Sequence, residues 1–229
     1  MTRNFRMMAA VAALATTAAS MTGAATFRAD LKPLNAGVPG QFLNVSGTAW
    51  INYDGGSLLK VRIEAMGLAP NMEHIQHIHG IPGGNSTTPT LADDAAADND
   101  GVIELLDGVP AYGPVILNLF DEGGAFPLTD AGGMLSFSRT YDLATAPFAA
   151  AFGPSDLFPL VDREFVIHGG FLGPVGIDAG RPVEEANGVA GYKDLLPVAA
   201  GEISAVPVPA AGLLLVAGLG AFAAFRRKA

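Results

Sequence analysis

The chain has 229 residues, half of them hydrophobic, with 29 glycines and 16 prolines, which suits one sizeable core broken by many turns. Its formal charge is −9; with Arg3, Arg6, Arg226, Arg227 and Lys228 of the two ends set aside, 8 basic and 22 acidic residues leave the middle at −14, a body that repels nucleic acid and anionic lipid heads and attracts cations. Cysteine is absent, which excludes disulfides, thiolate metal sites and cysteine nucleophiles.

Residues 1–25 have a basic start at Arg3 and Arg6, an apolar run from Met7 to Ala15, and small residues through Gly23-Ala24-Ala25. This is the three-part layout of a secretory signal peptide cut after Ala25, the alternative being a buried N-terminal helix. The body, residues 26–205, then opens with Phe27 to Lys32, which alternates apolar with charged and predicts a half-buried strand. Val45 to Tyr53 predicts a second strand, and Asp54-Gly55-Gly56 a hairpin turn into the next. There Leu59, Val61, Ile63 and Ala65 point inward while Lys60, Arg62 and Glu64 point out, so the sheet is antiparallel with one wet face.

Glu73-His74-Ile75-Gln76-His77-Ile78-His79-Gly80 follows, holding three of the four histidines in the chain. Residues two apart on a strand share a face about 6.5 to 7 Å apart, so His77 and His79 can aim both rings at one point. Imidazole is the commonest nitrogen ligand for copper and zinc, and a third ring from another strand completes a trigonal set. His168, in Val166-Ile167-His168-Gly169, is the one candidate at long range. His74 is out of step and joins only through a bulge or turn. A shared ion asks for nitrogens about 3 to 4 Å apart, with affinity falling as pH drops through the histidine range near 6.5. The alternative is four ordinary strand-end histidines, hydrogen-bonded or solvated.

From Gly80 to Asp100 the chain is rich in glycine and proline, and its acidic stretch of Asp93, Asp94, Asp98 and Asp100 reads as a solvated turn. As an EF-hand loop it fails at the first ligand position, which falls on Ala96. Val102 to Leu106, Val115 to Phe120 and Met134 to Tyr141 are further short runs divided by turn residues. Residues 143–160 allow at most a short helix, Glu164 to His168 is a strand, 169–194 a long loop, and Leu196 to Ser204 a closing strand. Seven or eight short strands predict an all-β, antiparallel Greek-key sandwich or barrel. No nucleophile elbow surrounds Ser155 and no phosphate-binding glycine loop is present, so no catalytic residue is assigned.

Val206-Pro207-Val208-Pro209-Ala210 leads into an uncharged apolar stretch to Phe225 and then Arg226-Arg227-Lys228. About 20 residues at 1.5 Å rise just cross a bilayer, with the basic cluster staying in the cytoplasm. A buried core helix explains the apolar run but not the basic stop. This layout resembles the bacterial PEP-CTERM sorting signals, in the variant read as Val-Pro-Leu-Pro-Ala, with Val208 in place of the leucine. The resemblance implies that residues 206–229 are recognised by an exosortase-like membrane enzyme and removed on delivery to the cell surface or matrix. Without such an enzyme the tail is a single-pass anchor in the inner membrane.

The body in turn resembles the CHRD domain, on Phe27 to Leu31, Ser46-Gly47-Thr48-Ala49, Leu58 to Ala65 with Gly67-Leu68, and above all His77-Ile78-His79-Gly80. That domain is related in fold to Cu/Zn superoxide dismutase, whose copper ligands include a His-x-His pair and a later histidine ending an apolar strand. The resemblance therefore implies a dismutase-like sandwich with copper or zinc at His77, His79 and His168. No histidine lies between His79 and His168, so the bridging and zinc ligands of the dismutase have no counterpart. An arginine downstream of His168 could only be Arg181, in a context with no supporting motif. The expectation is an exported, non-enzymatic surface or matrix protein that binds metal and surface partners but no nucleic acid. The alternative is a copper-dependent dismutase, for which a body at −14 is a poor collector of superoxide.

Overall fold

The structure, a computed structural model, describes residues 24–36, 44–97, 101–171 and 192–207. Residues 1–23 of the predicted signal segment, 208–229 of the predicted tail, Arg181, and Asp98 to Asp100 lie outside these residues; Ala25, the expected last residue of the signal, opens the first strand and pairs with Tyr53. No helix among the described residues is long and apolar enough to cross a membrane.

Among the described residues nine strands form: β1 (Ala25–Pro33), β2 (Ser46–Tyr53), β3 (Leu58–Met66), β4 (Gln76–Gly80), β5 (Val115–Asn118), β6 (Leu135–Asp142), β7 (Arg163–Phe171), β8 (Tyr192–Glu202) and β9 (Ser204–Ala205). They join in the order β5-β4-β7-β8-β1-β2-β3-β6, with β9 against β1, and every strand pairing is antiparallel. Strand β1 links the two halves of the sheet: Ala25 to Leu31 pair with β2, whereas Lys32 and Pro33 pair with Ala200 and Ala199 of β8. One apolar cluster takes Ala49, Ile51, Val61, Ile63, Leu135 and Phe137 from one half and Ile78, Leu117, Phe165, Ile167 and Val198 from the other. The sheet is therefore curled so that its halves face each other across a shared core.

On β3 the alternation read from the sequence holds, with Leu59, Val61, Ile63 and Ala65 buried and Lys60 and Arg62 exposed. The half containing β4 and β7 differs. All five residues of β4 and the first eight of β7 are buried, so this part of the sheet is covered on both faces. Its outer cover includes a second small cluster of Tyr112, Val166 and Ala200, with Leu34 and Val109 against it.

Two of those covering residues come from α2 (Leu105–Tyr112), which corrects the reading of Val102 to Leu106 as a strand-like run. The local reason is a capping box: Asp107 accepts the backbone N–H of Glu104 at 2.8 Å, which starts a helix where hydrophobicity alone suggests a strand. Buried Asn35 ties the segment before it to the sheet, donating to the carbonyls of Ile103 at 2.9 Å and Pro197 at 3.0 Å. A further helix, α1 (Leu91–Ala96), is capped by Thr90. It buries Asp94, whose carboxylate takes the N–H of Gly101 at 3.3 Å, so the acidic turn is not wholly solvated. A one-turn helix, α3 (Pro154–Leu157), is the short helix allowed in 143–160. Strands β7 and β8 also run into the expected 169–194 loop, pairing Gly170 with Lys193 and Phe171 with Tyr192.

Candidate metal centre

Ile78 lies in the core, so its neighbours His77 and His79 project from the opposite, outer face of β4. Strand β7 pairs with β4 in the register His77↔Val166, Ile78↔Phe165 and His79↔Glu164. Phe165 and Ile167 enter the core, which turns Glu164, Val166 and His168 to the same outer face. Two strands distant in sequence thus place three imidazoles side by side. Ring centroids are 5.4 Å apart for His77 and His79, 5.4 Å for His77 and His168, and 5.8 Å for His79 and His168.

The orientation of each ring follows from what holds its other nitrogen. His79 donates from Nδ1 to the Gly113 carbonyl at 2.9 Å, and His168 from Nδ1 to the Leu195 carbonyl at 2.8 Å. A carbonyl only accepts, so both rings carry their proton on Nδ1 and present a bare Nε2. His77 is hydrogen-bonded through the Asn118 side chain, its cross-strand partner on β5, and presents Nδ1. These three atoms, His77 Nδ1, His79 Nε2 and His168 Nε2, are buried and have no hydrogen-bond partner. Buried polar atoms are nearly always satisfied; three orphaned ring nitrogens at one place, two of them bare lone pairs, form a candidate donor set. One ligand atom from each ring lies within 4.8 Å of the others. Metal to nitrogen bonds of about 2.0 to 2.1 Å ask for roughly 3.5 Å in a trigonal set, so a span of up to 4.8 Å is wider than the 3 to 4 Å expected of a shared ion, and holding one requires the rings to close in.

Burial keeps these lone pairs free of protons. Desolvation lowers His77 to about 2, His79 to about 3 and His168 to about 4, with repulsion from His168 adding to the shift at the other two. This corrects the expectation that proton competition sets in near pH 6.5, which assumed solvated imidazoles. Among the described residues no carboxylate joins the cluster. Glu164, across the strand from His79, is fully buried, accepts from the Thr88 hydroxyl at 2.6 Å, and is pushed by burial up to about 8. Its burial thus favours the protonated, neutral form. The donor set is therefore three uncharged nitrogens, a type that suits copper or zinc.

Several residues the sequence did not single out shape this site. Tyr112 at the end of α2 packs on His79 with ring centroids 4.5 Å apart, and Phe126 stands edge-on to His77 at 5.5 Å. Gly113 brings its carbonyl to His79 because it has φ +81°, and a Cβ there would meet the Gly80 carbonyl carbon and oxygen at 2.5 Å. Any side chain would push the end of α2 off β4. His77, at 8% exposure against 1% for His79 and His168, marks the side of approach. Arg163 is spent elsewhere, donating to the carbonyls of Asp156, Gly84, Asp162 and Phe158.

The fourth sequence candidate, His74, is not brought into the cluster. Its Nδ1 faces the His168 carbonyl at 2.9 Å and its Nε2 the Ala69 carbonyl at 3.2 Å. Both nitrogens are turned to the protein, so His74 is not a fourth ligand in this arrangement.

No family model matches the chain, and no curated protein matches it. Among solved structures it is similar to Candida albicans superoxide dismutase 5 in two mutant forms. One is 8% identical with a TM-score of 0.38, covering 81% of this chain and 94% of that one. The other is 14% identical with a TM-score of 0.33, covering 80% and 94%. The site is read from its own geometry.

Proposed function

We propose that this chain is an exported CHRD-like protein with a dismutase-like Greek-key sandwich, which holds one copper or zinc ion through His77, His79 and His168 and carries out no turnover of its own. The observation that carries the reading is the convergence of three buried and unpartnered ring nitrogens. Bound there, the metal would supply a Lewis-acid or redox centre; the chain's own part is to orient three imidazoles and keep them dry. Gly113, Leu195 and Asn118 fix the rings, as outer partners of metal-binding histidines commonly do.

The two ends support export and placement. A basic, apolar and small-residue start and a Val-Pro-Val-Pro-Ala segment with an apolar span and basic stop fit secretion. Recognition by an exosortase-like enzyme in the inner membrane would then deliver the −14 body to the cell surface or matrix, where surface partners meet it. Membrane fractionation of the full chain against one stopped at Ser204 tests the anchor: loss of the membrane-bound fraction on truncation supports it, and identical soluble behaviour refutes it.

For the ion, calorimetric titration of the full chain with Cu(II) and Zn(II) is expected to give one site, lost in His77→Ala/His79→Ala. Equal and negligible binding by both proteins removes the metal claim. Superoxide consumption by the copper-loaded chain is expected to be no faster than by free copper; a faster rate moves the reading to a redox enzyme.

A further inference from the structure

We infer that His74 is a positioning residue for His168, an inference that rests on the three-histidine reading above. Strand β4 begins at Gln76. Just upstream the chain has left the ladder for residues 127–128: the backbone N–H of His74 donates to the Pro127 carbonyl at 3.0 Å, and Glu73 bridges Leu128. The backbone N–H of His168 still reaches the Ile75 carbonyl at 2.8 Å. The matching carbonyl of His168 is met by the His74 ring, whose Nδ1 stands 2.9 Å away. The ring thus supplies the donor that a continued ladder would have supplied.

The surroundings assign the tautomer. Two carbonyls face the two nitrogens, and a neutral imidazole has one proton to give. The Ala69 oxygen at 3.2 Å from Nε2 already accepts from the Thr129 hydroxyl at 2.6 Å. The His168 oxygen is the nearer of the two to the ring, so the proton belongs on Nδ1. Space for this contact exists because residue 169 is glycine at φ +107°: a Cβ there would lie 3.0 Å from His74 Nδ1 and collide with the Tyr192 hydroxyl. Tyr192 in turn stands edge-on to His74 at 6.1 Å and donates to the Glu73 carbonyl, closing the pocket around the ring.

The consequence for His168 is that each of its polar groups but one has an assigned partner. Its N–H goes to Ile75, its carbonyl to His74, its Nδ1 to Leu195, and only Nε2 is left for an ion. The sequence placed His74 near the metal for a chemical reason that the structure relocates: it holds the backbone of a ligand.

The test compares full-length wild type, His74→Leu and His74→Asn, since an asparagine amide can offer an N–H near the position of Nδ1. Competition titration gives the Cu(II) affinity, electron paramagnetic resonance the copper spectrum, and long-range proton–nitrogen NMR of the metal-free wild type the His74 tautomer. Expected are a proton on Nδ1, about 10- to 100-fold weaker copper binding with an altered spectrum in His74→Leu, and at least partial recovery of both in His74→Asn. A proton on Nε2 overturns the inference, as does copper binding in His74→Leu with wild-type affinity and spectrum, or His74→Asn as impaired as His74→Leu. Should His74→Leu fail to fold, the NMR tautomer and the His74→Asn titration still decide. Wild type that takes up no copper overturns the site itself and this role with it, an outcome separable from the others because the tautomer is read without metal.

Discussion

The two faces of β4 and β7 are both sealed from water, yet they are filled in opposite ways. Inward, Ile78, Phe165 and Ile167 join an apolar core whose atoms ask only to be packed. Outward, His77, His79, Glu164 and His168 are buried with four of their polar atoms unpartnered. A buried polar atom without a hydrogen bond costs about 1 to 3 kcal/mol, so the outer face gives up stability that the inner face supplies. On the proposed reading that difference marks the site: a dry, unsatisfied surface stands where an apolar one would leave no polar atom unpartnered.

Substitutions on each face should separate these roles. The largest effect on folding is expected inside, where Phe165→Ala removes a fully buried ring and costs about 3 to 5 kcal/mol in chemical denaturation. The variant molecules that remain folded should still bind copper with wild-type stoichiometry; loss of the site in a folded Phe165→Ala protein would show the faces are not separable.

Acid should act through the outer face. Below pH 6.5 the unfolded chain binds protons on His77, His79 and His168 that the folded chain refuses until about 2, 3 and 4. Folded values below unfolded ones mean stability rises with pH across that window, by up to about 1.4 kcal/mol per unit per histidine. Metal-free protein is therefore expected to lose melting temperature steeply from pH 6.5 downward, and His77→Ala/His79→Ala less steeply. Equal slopes would contradict the burial assigned to these rings.

A smaller effect is expected at the contact between cover and sheet. Gly113→Ala places a side chain at φ +81° against Gly80 and should cost about 1 to 3 kcal/mol. It should also weaken copper binding, because the carbonyl that holds His79 moves; unchanged affinity would detach α2 from the site. The smallest expected effect is at Glu164. Its folded value, about 8, lies above the unfolded one, so stability declines as pH rises between the two. Glu164→Gln should be about neutral at pH 4 and more stable than wild type at pH 8, by a melting shift of about 2 to 4 °C per kcal/mol. A wild-type pH profile for this variant would place the carboxyl in water.

How much of this could be read in advance follows the ranges of the interactions. The His77 and His79 pairing was legible because strand period is local, and so was the buried row of Leu59, Val61, Ile63 and Ala65. The proximity of His168 rests on its being the one histidine at long range and on a resemblance, since no local rule reports which strands pair. Helix α2 is not legible, because Gly108 and Pro110 interrupt its sequence and Glu104 with Asp107 is not the usual serine- or threonine-led capping pattern; the capping contacts show only in the structure. The tilt of each ring was not legible at all. It depends on carbonyls at Gly113 and Leu195, 34 and 27 residues from the histidines they hold. Burial of His77, His79 and His168 was likewise invisible, and it moved the expected acid response of the site downward.

X-ray absorption on the copper-loaded full chain tests the central claim most directly. Three imidazole nitrogens at about 2.0 Å from the ion, reduced in number in His168→Ala, are the predicted result. Copper bound with one imidazole or none, or a spectrum that His168→Ala leaves unchanged, would contradict it.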